Sequence, residues 1–137
     1  MITQGFVTDR QSAMSMFFSL KEKGNNVCWV TIANRNTRPL VFRGSKHILS
    51  MHFDDVTNKI DGISHDQFRK LKNFLWNHHI NSNKSWICLI NCHAGISRSA
   101  AVGEIIECKF RVPVTYLHTP FPNMRILKLF KIDPNFK

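Results

Sequence analysis

The stretch SWICLINCHAGISRSAAVGEIIECKF, Ser85 to Phe110, sets a thiol, a glycine and an arginine between two apolar runs. Trp86 to Ile90 is short, apolar and bounded by the polar Asn83-Lys84-Ser85, which reads as a buried strand. From Arg98 onward Ala100, Ala101, Val102, Ile105, Ile106 and Cys108 recur at helical spacing, so a buried helix begins near Ser97 or Arg98. Strand, tight loop and helix follow one another with nothing to spare. In that arrangement the backbone N–H groups of the loop and of the first helical turn lack internal partners, and the helix dipole adds partial positive charge. The result is an anion cradle.

Each polar residue of the loop has a use in such a cradle. Gly95 permits a backbone turn with positive φ, so that successive amides converge on one point. Arg98 offers a planar fork of donors to two oxygens of a phosphate. Cys92 stands at the mouth, where the helix field and the guanidinium both favour thiolate, so its pKa is expected well below the free value of about 8.5. A thiolate beside a bound phosphate is a nucleophile aimed at phosphorus. Ser99 can donate a hydrogen bond to the sulfur as it leaves a phosphocysteine.

Cys92, five residues, Arg98 and then Ser99 resemble the signature of the cysteine-dependent protein tyrosine phosphatases. AGISRS looks most like their compact dual-specificity branch, and similar sequences occur among small bacterial and phage tyrosine phosphatases. The likeness covers residues 47–110 and extends more weakly into FPNMRILKLF. It implies hydrolysis of phosphotyrosine, and of phosphoserine or phosphothreonine, with the phosphate held by His93, Ala94, Gly95, Ile96, Ser97 and Arg98. His93 either lines the pocket with its ring or only fills a variable loop position. The family usually has His before the nucleophile, whereas this chain has Asn91. Asn donates and accepts hydrogen bonds but carries no titratable charge. Two other functions stay open: an RNA 5'-phosphatase of the same family, and a phospho-binding module without turnover.

Expelling an alkoxide or phenoxide from phosphorus needs a proton donor over the cradle. Asp54, Asp55, Asp61 and Asp66 lie between the strand HILSMHFDD and the next helix. Asp66 falls in that helix's first turn, where a carboxylate simply complements the dipole. HFDDV resembles the family's acid loop, with Asp55 matching its aspartate best; Asp61 is where a shorter loop of some relatives would place it, and Asp54 is the third candidate. Neither a cofactor nor a metal is called for, since the thiolate and Arg98 supply the charge stabilisation that a metal otherwise would.

The chain has 137 residues, 43% of them hydrophobic, which suits one domain spanning 1–137 with a genuine core. MITQGFVTDRQSAM lacks a charged segment followed by a long apolar run, and no stretch approaches 18 apolar residues, so a soluble, cytoplasmic protein is expected. Nineteen Lys plus Arg stand against 9 Asp plus Glu, a net charge of +10. Anionic partners are therefore favoured through long-range steering, phosphorylated proteins first and nucleic acid second. Four cysteines, Cys28, Cys88, Cys92 and Cys108, show no metal-type spacing. Four residues of strand span about 13 Å, beyond the roughly 7 Å limit between disulfide-bridged Cα atoms, so Cys88 is a core residue and no disulfide partner of Cys92. Cys28 could approach Cys92 only on a neighbouring strand.

Along the chain, Asp9 caps a first helix to about Lys21, with Ala13, Met16, Phe17 and Leu20 on one face. Val27–Ala33 reads as a strand. The basic loop after it, with Arg35, Arg38, Arg43 and Lys46, is expected to open onto the catalytic edge. Ser64 and Gln67 have capping-box spacing before a helix to about His79, whose terminal His78 and His79 would be cationic and complement the dipole. Pro120 or Pro122 is expected to open a last helix. Strands alternating with helices give an α/β fold, a mostly parallel sheet flanked by helices, whose ligands gather at the carboxyl ends of the strands.

Overall fold

The computed structural model of the chain describes residues 1–38, 40, 45–58 and 60–133. Among the described residues five strands and four helices follow one another in the order β1 (Ile2–Thr8), α1 (Arg10–Glu22), β2 (Val27–Ala33), β3 (Ile48–His52), α2 (His65–His79), β4 (Trp86–Asn91), α3 (Arg98–Phe110), β5 (Val114–Tyr116) and α4 (Met124–Ile132). All strand pairs are parallel, in the order β3-β2-β4-β1-β5. Helix α1 covers one face through Ala13 and Phe17 on Val27, Trp29 and Leu89. The other three helices cover the opposite face, with Leu71, Ile105 and Ile126 packed onto Val30, Ile90 and Val7. A parallel sheet buried on both sides explains why β2 is buried at all seven positions.

Local chemistry accounts for the helix starts. The Asp9 carboxylate accepts from Ser12 N at 2.7 Å, and Ser64 and Gln67 close a reciprocal capping box at 3.1 and 2.9 Å. The last helix begins differently from the expectation. Neither Pro120 nor Pro122 opens it; Asn123 does, its side-chain Oδ1 accepting from Arg125 N at 3.0 Å and Ile126 N at 3.2 Å.

Strand β1 has no counterpart in the sequence reading. Its polar Thr3 and Gln4 break the apolar run, and it forms because β4 and β5 bracket it, with Phe6 opposite both Leu89 and Thr115. Its first amide, Ile2 N, donates to His79 Nδ1 at 3.1 Å. His79 must therefore present a lone pair, and it stacks on Phe110 with ring centroids 4.0 Å apart. His78 is buried, and Nδ1 bonds to the Phe74 carbonyl at 2.8 Å while Nε2 meets His47 Nδ1 at 2.9 Å. Burial holds both imidazoles below their ordinary pKa. The two histidines are thus neutral packing groups, and the expectation of cationic helix-end residues is corrected.

Two cysteine expectations are resolved by register. β2 and β4 are neighbours, but Cys28 stands opposite Cys88, and Thr31 opposite Asn91. Cys28 is therefore about 13 Å of strand from the Cys92 loop. The Cys28 contact and burial together push the Cys88 thiol up, and both cysteines are buried core residues. Cys108 is exposed, since the buried stripe of α3 runs through Ala101, Val102, Ile105 and Ile106.

Because every strand points the same way, the residues after β1, β2, β3 and β4 emerge at one edge. Asp9, Asn34, Phe53 and Cys92, far apart in sequence, start from that edge together.

Candidate active site

The loop from Cys92 to Ser97 turns tightly between β4 and α3. Gly95 has φ +72°, and a Cβ there would lie 2.6 Å from Thr8 C and 2.7 Å from Thr8 O. Glycine is required twice over, by its left-handed backbone and by contact with the end of β1. Arg10 N donates to the His93 carbonyl at 3.0 Å, so the start of α1 braces the loop from the side.

Ser97 occupies the N-cap position of α3, a place where serine ordinarily caps, yet it makes no capping bond. Its hydroxyl donates instead to Asp55 Oδ1 at 2.7 Å. The first-turn amides of α3 therefore keep their capacity to bind an anion.

Cys92 is 2% exposed and its Sγ lies 3.0 Å from Ser99 Oγ. Burial works against ionisation, but the Ser99 hydroxyl, the amides of Ser99 and Gly95, and the Arg98 charge outweigh it and hold the thiol below its ordinary pKa. Arg98 is 4% exposed, and its Nη1 donates to Asn34 Oδ1 at 2.8 Å and to the Phe53 carbonyl at 2.9 Å. Its Nε is buried with no partner among the described residues. A buried guanidinium donor without an acceptor is costly unless an anion completes it. Asn34 and Phe53 escape the sequence reading; the one signal available is that each directly follows a strand.

These groups face a cavity of about 730 Å³. Asn34, Asn36 and Thr37 form one wall, Asp54 and Asp55 another, and the 92–98 loop the rest, with His93, Ala94, Ile96 and Ser97 lining it. His93 and Ala94 are exposed there, and Gly95 is buried behind them.

The three carboxylate candidates separate by their partners. Arg35 bonds to Asp61 at 2.7 Å, lies 3.6 Å from Asp54 Oδ2 through Nε, and donates its backbone N–H to Asp54 Oδ1 at 3.1 Å. Asp54 and Asp61 are thus both engaged with one arginine, and Asp61 does not line the cavity. Asp55 is bound to the cradle itself, through Ser97, and also accepts from Asn123 Nδ2 at 2.8 Å. Asp66 pairs with Arg69 at 2.8 Å on the surface of α2.

The basic loop is only partly as expected. Arg35 sits at the same sheet edge as the Cys92 loop but is compensated by two acids, and Arg38 contributes its carbonyl to Arg10 Nη2 at 2.7 Å. Lys46 precedes β3 and lies at the opposite edge, in a hollow with His47, Lys84 and Trp86. Arg43 lies outside the described residues.

Asn91 is fully buried, and its side chain touches backbone and indole but not the sulfur. Its Oδ1 accepts from Trp29 Nε1 at 2.8 Å, and its Nδ2 donates to the Cys92 carbonyl at 3.3 Å. Trp29, itself buried and stacked 4.9 Å from Phe17, thereby orients the amide that ties the start of the loop.

No family model and no curated protein sequence matches the chain. Among solved structures it is similar to the PTP-2 phosphatase of Cydia pomonella, with 22% identity and a TM-score of 0.62 over 93% of this chain and 84% of that one. It is also similar to the human tyrosine phosphatase-like serine/threonine/tyrosine-interacting protein, with 21% identity and a TM-score of 0.59 over 90% of this chain and 85% of that one. The likeness is one of fold: the chain has the compact tyrosine-phosphatase-like architecture, a five-stranded parallel sheet flanked by four helices. Among the described residues, no helix is long and apolar enough to cross a membrane.

Proposed function

We propose that this chain is a phosphomonoester hydrolase acting on phosphorylated protein, with phosphotyrosine the first substrate and phosphoserine or phosphothreonine also accepted. The observation that carries the reading is the Cys92 thiol, held below its ordinary pKa 3.0 Å from Ser99 Oγ and beside an arginine whose Nε lacks an acceptor. The phosphate oxygens bind the amides of the 92–98 loop and the open edge of Arg98. Cys92 Sγ attacks phosphorus, the bond to the leaving oxygen breaks, and Asp55 gives that oxygen a proton. In the second step Asp55 takes a proton from water as the water attacks the phosphocysteine. The sulfur leaves as a thiolate, stabilised by the Ser99 hydroxyl.

The net charge of +10 supports anionic substrates of any kind. Phosphotyrosine peptide and 5'-triphosphate RNA should therefore be compared side by side, and faster turnover of the RNA would replace the protein-phosphatase reading with the RNA one. One of the two solved structures bears the name of an interacting protein, so binding without turnover is tested as well. Rapid mixing with nitrophenyl phosphate should release a burst of nitrophenol stoichiometric with enzyme, and Cys92→Ser should bind phosphate without any burst. A wild-type chain that binds phosphate and releases no nitrophenol would be a module, not an enzyme.

A further inference from the structure

Asn123 stands at a junction that capping alone does not explain. It is 6% exposed, and its Oδ1 is committed to two backbone donors, Arg125 N and Ile126 N, in the first turn of α4. That commitment fixes the orientation of the amide. Nδ2 must face the other way, and there it donates to Asp55 Oδ1 at 2.8 Å, with the Val56 carbonyl at 3.3 Å. The backbone N–H of Asn123 donates to the Ser97 carbonyl at 3.1 Å. One residue therefore joins three separate segments: the start of α4, the anion-binding loop and the loop that carries Asp55.

The two side-chain donors on Asp55, Ser97 Oγ and Asn123 Nδ2, both reach the same oxygen, Oδ1. A protonated carboxyl group has one acceptor-only oxygen and one that bears the hydrogen. With two donors on Oδ1, that oxygen is the acceptor, and the proton resides on Oδ2, which makes no hydrogen bond among the described residues. We infer that Asn123, together with Ser97, is a positioning residue for proton transfer, setting which oxygen of Asp55 delivers the proton and holding it over the cradle. This rests on the reading of Asp55 as general acid. In the first step the Oδ2–H bond breaks, its proton goes to the leaving oxygen as the P–O electron pair collapses onto that oxygen, and the Sγ–P bond forms. The carboxylate produced keeps both donors on Oδ1, so Oδ2 is again the free oxygen when water must lose a proton in the second step.

Asn123→Ser separates this role from helix capping. Serine is itself a good N-cap, so α4 keeps its start, but the shorter side chain cannot also reach Asp55. The readout is kcat/KM, which covers attack and leaving-group departure, measured on nitrophenyl phosphate and on phenyl phosphate, whose leaving group needs the proton more. Asn123→Ser should lower the phenyl phosphate value by about tenfold, a fraction of the 10²- to 10⁴-fold worth of a general acid, and lower the nitrophenyl phosphate value much less. In an Asp55→Asn background the same substitution should cost less than about twofold on either substrate, since no proton remains to be aimed. An equal loss on both substrates, or a full additional loss in the Asp55→Asn background, would overturn the assignment and leave Asn123 as a helix cap. The underlying reading is judged on Asp55→Asn alone: if that variant shows no leaving-group-dependent loss, Asp55 is not the acid, and the role of Asn123 falls with it. Ratios between substrates are independent of the folded fraction, so partial misfolding of a variant cannot imitate the expected pattern.

Discussion

Burial alone would push the Cys92 thiol up, and the hydrogen bond from Ser99 Oγ, at 3.0 Å, is the largest single influence in the other direction. Ser99→Ala should therefore move the midpoint of iodoacetate alkylation to higher pH than in the wild type, whose midpoint should lie below that of an ordinary thiol. An unmoved midpoint would mean that the loop amides and Arg98 hold the thiolate unaided. Arg98→Lys should lose most activity, because an ammonium cannot bond to Asn34 and Phe53 and still present two donors to phosphate; near-normal turnover would make the arginine purely structural. At Asn91 the contacts are with Trp29 and the Cys92 carbonyl, not with the sulfur. Asn91→Ala leaves the Trp29 indole N–H buried and unsatisfied, at a cost of about 1–3 kcal/mol, read from urea denaturation. A Trp29→Phe/Asn91→Ala double variant should lose less than the sum of the two single losses, and strict additivity would show that the 2.8 Å contact contributes nothing. The unusual Asn is visible in the sequence. Its partner is not, because Trp29 is on another strand, and only the β2–β4 register brings the indole to it.

Helix α3 lies so close to the sheet that Gly103, near its middle, has no room for a side chain. A Cβ on Gly103 would meet Val7 Cγ2 at 2.8 Å and Tyr116 Cε1 at 3.1 Å. In an isolated helix, Gly to Ala gains about 1 kcal/mol, but overpacking a buried site costs about 1–3 kcal/mol, and Val7 is fully buried with nowhere to move. Gly103→Ala should therefore be destabilising, with a lower urea midpoint and an unchanged m-value; a stabilised variant would show that β1 and β5 yield easily. Elements differ in how far their own residues announce them. α2 carries a capping box and an apolar stripe, and α3 follows a polar loop after a run of buried β4, so both are legible from composition and period. β1 and β5 are not: β1 is interrupted by polar residues and is a strand because β4 and β5 pair with it on either side, while β5 is three residues long and pairs with β1 alone. α4 starts at an Asn123 cap and not at a proline, a difference the sequence does not mark because an asparagine cap is no stronger a local signal than two prolines just before it.

The molecule as a whole is organised by strands that run one way, so that the Cys92 cavity lies at one edge, with His93 in its lining, and the His47–His78 pair lies at the other. At that far edge His47 and His78 share a hydrogen bond of 2.9 Å beside Trp86, with Lys46 and Lys84 nearby. Burial, and for His47 the neighbouring His78 and lysines, lowers both imidazoles below the ordinary 6.5. A base that stays neutral when folded but protonates when unfolded contributes stability that is complete above pH 6.5 and is lost as pH falls from there through the folded-state values. The melting temperature should accordingly drop between pH 7.5 and 5.5, and His78→Phe should flatten that dependence; an equally steep drop in the variant would place the acid sensitivity elsewhere. The segment from Trp86 to Phe110 specifies its strand, its glycine turn, its helix and the spacing of Cys92, Gly95, Arg98 and Ser99, because those are interactions between residues a few positions apart and their chemistry is local. The Asn34 and Phe53 contacts that aim Arg98, the Ser97 and Asn123 donors on Asp55, and the commitment of Asp54 and Asp61 to Arg35 are decided by folding. Most of these join residues that the chain separates by 40 or more positions. The parallel sheet delivers them from the ends of different strands to one edge, and no local propensity encodes where two such ends will meet.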